Sequence, residues 1–277
     1  MTTVGIATGA GRGMGLACGA RLAEMVDQLL LVDLDQTTVT AAAERLTSTS
    51  RATVEPFVLD VTDRNGLERL AGRVGELGTL RAVAHAAGIS PTMADWKRIV
   101  TVDLVGTAML AEVLRPLATT GTAMVCFASM AAAMGASAPN PDADAALDAP
   151  LEDGFFDRLR DALGPALDDS GMAYAWAKHG VRRFVQQEAV RLGPAGARVC
   201  SVSPGIIDTP QGQQEAETHP IMAELVQRSP VGRVGHADEI AAVVAFLLSD
   251  EASFMTGVDV LVDGGVVASI RDNLPTG

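Results

Sequence analysis

One stretch, Thr8-Gly9-Ala10-Gly11-Arg12-Gly13-Met14-Gly15, constrains this chain more than any other. It follows a short apolar run, Val4-Gly5-Ile6-Ala7, and opens a helical pattern that reaches about Met25. Strand, glycine turn and helix in that order aim backbone N–H groups and the positive end of a helix dipole at one point, where a pyrophosphate is well bound. Glycine at these positions lets the backbone approach phosphates closely. A glycine run alone is equally a flexible loop. The next strand adds weight. Leu29-Leu30-Leu31-Val32 is fully apolar, as in a strand buried on both faces, and it ends at Asp33, 20 positions after Gly13. A carboxylate there accepts hydrogen bonds from the ribose hydroxyls of an adenosine. Turn and acid together read as a dinucleotide site.

The rest of the chain repeats the alternation. A helix over 38–46 precedes a strand over 54–59 that ends in Asp60-Val61. A helix over 64–77 leads to a strand at 82–85, which closes on Ala86-Ala87-Gly88. A long helix over 96–117 contains Asp103 and Gly106, and the strand after it, 122–127, ends at Ala128-Ser129. Tyr174 begins a helix running to about Leu192, followed by a strand over 197–202 that ends in Ser203-Pro204-Gly205. A helix over 238–248 and a strand over 258–262 finish the pattern, and the tail after Gly265 carries no readable signal. Strands alternating with helices imply a parallel sheet with right-handed crossovers, an α/β fold. Two stretches break the rhythm. Residues 134–170 are rich in Asp, Ala and Pro, with an amphipathic piece at 155–163, and read as an insertion carrying one short helix with a solvated acidic face. Residues 208–232 are polar and proline-punctuated, as in a lid.

Composition narrows the function classes. With 277 residues and 48% apolar content, the chain suits one domain with a large core. A formal net charge of −13 argues against nucleic acid or anionic membrane as a partner. No apolar run approaches the ~20 residues of a membrane span. The first strand begins almost at Met1, which leaves no room for a signal peptide. Cys18, Cys126 and Cys200 each sit in an apolar run and read as reduced core thiols, so a cytoplasmic protein is expected. The four histidines show no metal-ligand spacing, and no metal is expected.

With these motifs in order, the chain resembles the short-chain dehydrogenase/reductase family. The match runs from Val4 to Gly265, apart from the insertion. It rests on the Thr-Gly-x-x-x-Gly-x-Gly turn, Asp60-Val61, the strand-ending Ser129, Tyr174-x-x-x-Lys178, a Pro-Gly followed by Thr209, and Asp263-Gly264-Gly265. The resemblance implies a Rossmann-type doubly wound parallel sheet and hydride transfer between a nicotinamide and a carbinol or carbonyl carbon. It implies catalytic roles for Ser129, Tyr174, Lys178 and Asp103. It implies cofactor contacts from Gly9, Gly11, Arg12, Gly13, Met14, Gly15, Asp33, Leu34, Asp60, Val61, Ala86, Ala87, Gly88, Tyr174, Lys178, Pro204, Gly205, Ile207 and Thr209. A homo-oligomer, dimer or tetramer, is implied as well.

Tyr174 would move the hydroxyl proton. A free phenol has a pKa of about 10, too high for a base at neutral pH, and Lys178 one turn along is expected to lower it. Two residues depart from the family pattern. Asp103 stands where the family has Asn, and would offset part of the Lys178 charge or be protonated. His85-Ala86-Ala87-Gly88 replaces Asn-Asn-Ala-Gly, with His85 read as a structural substitute. Cofactor choice pits Arg12, a feature of members that use NADP, against Asp33, a feature of those that use NAD. A 2′-phosphate near Asp33 would cost about 4 kcal/mol at ~4 Å and an effective dielectric of ~20, so NAD is expected. Ser129 and Tyr174 stand 45 positions apart, a long gap similar to the bacterial 3α-hydroxysteroid dehydrogenase/carbonyl reductase branch, as is Ala173-Tyr174-Ala175. Hydrophobic secondary alcohols or ketones, steroid-like first, are the expected substrates. A sugar, an acyl-derived ketone or a terpene alcohol fits the same chemistry, and a dinucleotide sensor without turnover is the non-enzymatic alternative. Met130, Met134, Met172, Trp176 and Met222 either line an apolar pocket or pack in the core. The insertion is expected beside the substrate mouth or at a subunit contact.

Overall fold

The computed structural model describes residues 1–134, 139–218 and 221–272. Seven parallel strands form one sheet flanked by helices. In chain order the first half is β1 (Thr3–Thr8), α1 (Gly13–Leu22), β2 (Gln28–Asp33), α2 (Gln36–Thr49), β3 (Thr53–Val58), α3 (Arg64–Leu77) and β4 (Thr79–His85). Then come α4 (Trp96–Val100), a π-helical turn (Thr101–Val105), α5 (Gly106–Leu114), β5 (Ala123–Phe127), α6 (Ala131–Met134), α7 (Pro141–Leu147) and α8 (Phe155–Leu163). The last part is α9 (Ser170–Leu192), β6 (Arg198–Pro204), β7 (Ile207–Asp208), α10 (Pro210–Thr218), α11 (Ile221–Arg228), β8 (Gly235–His236), α12 (Ala237–Leu248), β9 (Asp259–Val262) and α13 (Val266–Asp272).

The sheet order is β3-β2-β1-β4-β5-β6-β9, so the chain changes direction of travel between β1 and β4. Ligands of such sheets bind outside the carboxyl ends of the strands at this switch point. The strands are apolar on both faces because helices cover both. Ile6, Leu30, Val32, Val83 and Cys126 pack under α3, α5 and α9. Their strand neighbours Ala7, Leu29, Leu31, Ala84 and Val125 pack under α1, α2 and α12. Period-two alternation thus divides one sheet between two cores. Removing a fully buried leucine such as Leu30 or Leu31 costs about 2–5 kcal/mol.

The structure differs from the sequence reading at five points. The insertion carries two helices, α7 and α8, where one was expected. Asn140 caps α7 by accepting from Ala143 N–H at 3.0 Å, with Pro141 in the first turn, a start signal present in the sequence and overlooked. The acidic face of the insertion is also partly paired: Asp148 and Asp144 bind Arg183 at 2.7 and 3.0 Å, and Asp144 meets His179 at 3.0 Å. These contacts, with Ala143, Leu147, Phe155 and Leu159 in the core, dock the insertion along α9. Of its described residues, only those at its two ends border the cavity described below. The proline-punctuated stretch 208–232 folds as α10 and α11, and the tail after Gly265 continues as α13. Finally, α9 begins at Ser170, a turn before Tyr174, because Asp169 caps it by accepting from Met172 N–H at 2.8 Å.

Candidate active site

A cavity of about 910 Å³ opens at the carboxyl end of the sheet, near the top of the ~300–1,000 Å³ range of small-molecule sites. At one end stand Gly9, Arg12, Gly13, Met14, Gly15, Asp33, Leu34, Asp60 and Val61. Gly9 and Gly13 have φ of 62° and 58°, where a side chain is strained, and a Cβ on Gly15 would strike the carbonyl of Gly9. Asp33 holds the turn in place: its Oδ2 accepts from Gly11 N–H at 2.9 Å, while Oδ1 accepts from Asp35 N–H at 3.0 Å. These glycine contacts leave an open cradle beside a ribose-competent carboxylate, which fits a dinucleotide.

Asp60 accepts from Thr62 N–H and Oγ at 2.9 and 2.7 Å and from Arg98 at 2.9 Å. Burial raises its pKa, but these donors outweigh burial and hold the carboxyl below its ordinary value. Arg98 lines the cavity here and was not anticipated from the sequence. Ala86, Ala87, Gly88, Pro204, Gly205, Ile207 and Thr209 border the same cavity.

His85 is tied into the frame. Thr107 Oγ donates to the carbonyl of Asp103 at 2.7 Å, so it can only accept from His85 Nε2, at 3.0 Å. Nδ1 is then an acceptor, and Thr8 Oγ donates to it at 2.8 Å while accepting from Ala87 N–H at 3.0 Å. Burial, reinforced by the Lys178 charge, lowers the ring pKa to about 3, so the imidazole is neutral. The hydrogen bonds assign the Nε2–H tautomer. This chain links β1 to the π-helical turn and leaves no nitrogen free for the cavity.

At the other end, Ser129, Tyr174 and Lys178 converge with Asp103. The Ser129 hydroxyl stands near enough to the Tyr174 phenol to favour its ionised form. Lys178 Nζ donates to the carbonyl of Phe127 at 3.1 Å and stands 5.5 Å from the centre of the Tyr174 ring. Asp103 Oδ1 lies 3.6 Å from that ammonium and accepts from Ile89 N–H at 2.9 Å. Asp103 is completely buried, and its Oδ2 has no hydrogen-bond partner. Burial pushes its carboxyl well up against the pull of Lys178 and the Ile89 N–H.

The expected lowering of the Tyr174 pKa is reversed. Burial raises it most, followed by the charges of Asp103 and Glu215, and these outweigh the pull of the Ser129 hydroxyl. Tyr174 is thus a protonated phenol at neutral pH. Glu215, on α10, lines the cavity and was also missed, because its spacing from Gln211 acquires meaning only once 210–218 is known to be helical. Met130, Met134, Met172 and Met222 border the cavity. Trp176 does not: it is 5% exposed and packs edge-on against His179 at 5.5 Å, two positions along the helix from Tyr174 and on another face.

Among the described residues there is no cluster of metal-ligand type, and no helix is long and apolar enough to cross a membrane. Cys18, Cys126 and Cys200 are buried and free.

A family model described as enoyl-(acyl carrier protein) reductase matches residues 9–148 and 165–267. The unmatched gap falls inside the insertion and holds α8. The chain is 32% identical to levodione reductase of Leifsonia aquatica over 95% of this chain and 93% of that protein. It is 28% identical to cis-4-hydroxycyclohexanecarboxylate dehydrogenase of Sinomonas cyclohexanicum over 96% of each. The solved structure titled short-chain dehydrogenase/reductase SDR:glucose/ribitol dehydrogenase, from Brucella melitensis, superposes with a TM-score of 0.75 at 27% identity, covering 96% of both chains.

Proposed function

Since this chain belongs to the short-chain dehydrogenase/reductase family of oxidoreductases, which use a nicotinamide dinucleotide, we propose that it transfers hydride between NAD(H) and a hydrophobic secondary alcohol or ketone. The observation that carries this reading is a single cavity with Asp33 and the glycine turn at one end and Ser129 and Tyr174 at the other. When bound, the nicotinamide supplies or accepts the hydride. Gly9, Gly11, Gly13, Met14 and Gly15 would hold the pyrophosphate, Asp33 and Leu34 the adenosine ribose, and Asp60 and Val61 the adenine. Ala86, Ala87 and Gly88 would support the middle of the cofactor. Pro204, Gly205, Ile207 and Thr209 would hold the nicotinamide, and Lys178 its ribose.

Ser129 holds the substrate oxygen by a hydrogen bond. Tyr174 gives its phenolic proton to that oxygen as a ketone is reduced, and takes it back as an alcohol is oxidised. A phenol that stays protonated at neutral pH suits the donor role directly, whereas oxidation needs the phenolate and gains from alkaline pH. Lys178, buried against Phe127, stabilises the phenolate and replaces the proton. Asp103 positions that ammonium.

NAD is favoured over NADP because Asp33 lines the adenosine end and repels a 2′-phosphate. Arg12 stands on the cavity wall but is longer and solvated, so its attraction is weaker. The apolar methionines and the long Ser–Tyr separation favour cyclic substrates, steroid-like compounds included. A lid role for 208–232 follows from Thr209, Glu215, Met222 and Leu225, all on the cavity wall. A homo-oligomer belongs to the same reading, since β9 ends the sheet and exposes Leu261. The free thiols favour a cytoplasmic setting.

A panel of cyclic alcohols and ketones with NAD or NADH, followed by absorbance of the reduced cofactor, tests the proposal. Turnover of any member supports it. Tight NADH binding with no turnover across the panel favours a sensor. Comparable kcat/KM with NADH and NADPH overturns the cofactor choice.

A further inference from the structure

The wall at the substrate end has a second layer. Met130, Met222 and Leu225 border the cavity there. Behind them lies a small apolar cluster, separate from the two cores of the sheet. In it Met130 and Leu225 are buried with Val266 and Val267, and Met222 and Ile270 pack against its edge. Val266, Val267 and Ile270 belong to α13 and do not border the cavity. Ile270 stands four residues after Val266 and three after Val267, so the three side chains share one face of α13. That helix packs against α11, which carries Met222 and Leu225.

The first turn of α13 is anchored. One oxygen of Asp263 accepts from Gly265 N–H at 2.9 Å and the other from Val267 N–H at 2.8 Å, which ties the helix to the end of β9. The end of α11 is tied to the same turn, since the buried Ser229 hydroxyl donates to the carbonyl of Gly264 at 2.9 Å. Between these fixed points the spacing of α11 from the sheet is left to side-chain packing.

We infer that Ile270 is a specificity-determining residue that acts through α11: its bulk sets how far Met222 and Leu225 stand from Ser129 and Tyr174, and so the size of the alcohol or ketone admitted. The inference rests on the oxidoreductase reading and deepens it by naming what limits substrate size. Ile270 touches neither the substrate nor the dinucleotide in this reading, so it is a positioning residue. Its physical content is close packing. A void left behind the wall is refilled only in part, and an unbranched methionine is the neighbour best able to move into it. Such a retreat of Met222 enlarges the cavity on the substrate side. A larger side chain at 270 drives the wall the other way. Val266 and Val267 lie at the centre of the cluster, whereas Ile270 is half-buried at its edge, so a change there alters the spacing without emptying the cluster.

The test uses the full chain with NAD and two alcohols of one and two rings, cyclohexanol and 2-decalol. Ile270→Ala is expected to raise the decalol-to-cyclohexanol ratio of kcat/KM by about tenfold, chiefly through the KM of decalol, with NADH binding within about twofold of wild type. Ile270→Phe is expected to lower the ratio by a similar factor, and Ile270→Val to stay near wild type. Arg271→Gln, an exposed change on the same helix, leaves the ratio unchanged. If Ile270→Ala fails to fold, Ile270→Phe decides. A ratio unmoved in the folded variants, or moved in one direction by both, overturns the inference and leaves the oxidoreductase reading intact, as does a loss of turnover that is equal for the two alcohols. Should the wild type refuse these two alcohols, the smallest and largest accepted members of the wider panel replace them. No turnover across that panel sinks the oxidoreductase reading, and this inference with it.

Discussion

The dinucleotide end and the substrate end of the cavity are built by different means. The first is made of backbone and short side chains: positive-φ glycines, an Asp33 that accepts from Gly11 N–H, and an Asp60 anchored by Thr62 and Arg98. Those parts fall within residues 9–98 and impose strict chemistry, since a Cβ at Gly15 cannot be accommodated. The second is made of methionines and of residues on α10 and α11, drawn from distant segments. Met is adaptable, so many side chains could fill those positions. The contrast teaches that geometry demanded by a phosphate is written locally, whereas a surface shaped for an organic substrate is written across the chain.

Four measurements break or sharpen this comparison. The largest effect is expected at the substrate end. Tyr174→Phe should lower kcat by about 10³-fold while NADH binding stays within about twofold, since proton transfer contributes ~10²–10⁴. Loss of NADH affinity equal to the loss of turnover would erase the division between ends. At the dinucleotide end, Asp33→Ser should raise the NADPH-to-NADH ratio of kcat/KM by about a hundredfold. An unchanged ratio would remove Asp33 from cofactor selection.

The third probes the frame between the ends. The His85 ring has a pKa of about 3 in the fold and ~6.5 in the unfolded chain. The unfolded state therefore binds the extra proton first. Stability from this site is complete above pH ~6.5, is lost at up to about 1.4 kcal/mol per pH unit as pH falls, and levels off below pH ~3. Between pH 7 and 5 the wild type should lose about 2 kcal/mol here, and His85→Gln should lack that slope in denaturant titrations. Parallel slopes would mean the ring is charged in the fold. The smallest effect is expected from Asp103→Asn. Removing a carboxyl that raises the Tyr174 pKa should move the alkaline limb of alcohol oxidation down by about one pH unit. Coincident profiles would show that Asp103 stays neutral throughout.

Much of this was legible in the sequence. The glycine turn and Asp33 were readable from the strand ends they occupy, and Ser129, Tyr174 and Lys178 from the family resemblance. The sheet followed from alternating apolar runs. The sign of the Tyr174 shift was not legible: it depends on desolvation and on Glu215, which approaches from 41 positions away. Trp176 was misassigned because helical phase, not proximity in sequence, decides which face meets the cavity. The second insertion helix was written in Asn140-Pro141, but polar composition masked it.

Arg182 and Arg183 are neighbours on α9 that reach in different directions, one to Asp259 on β9 and the other to Asp144 and Asp148 of the insertion. The helix that bears Tyr174 and Lys178 is thereby braced from both flanks like a doorpost. Held so from two sides, the helix sets its phenol and its ammonium at a fixed spacing against the sheet.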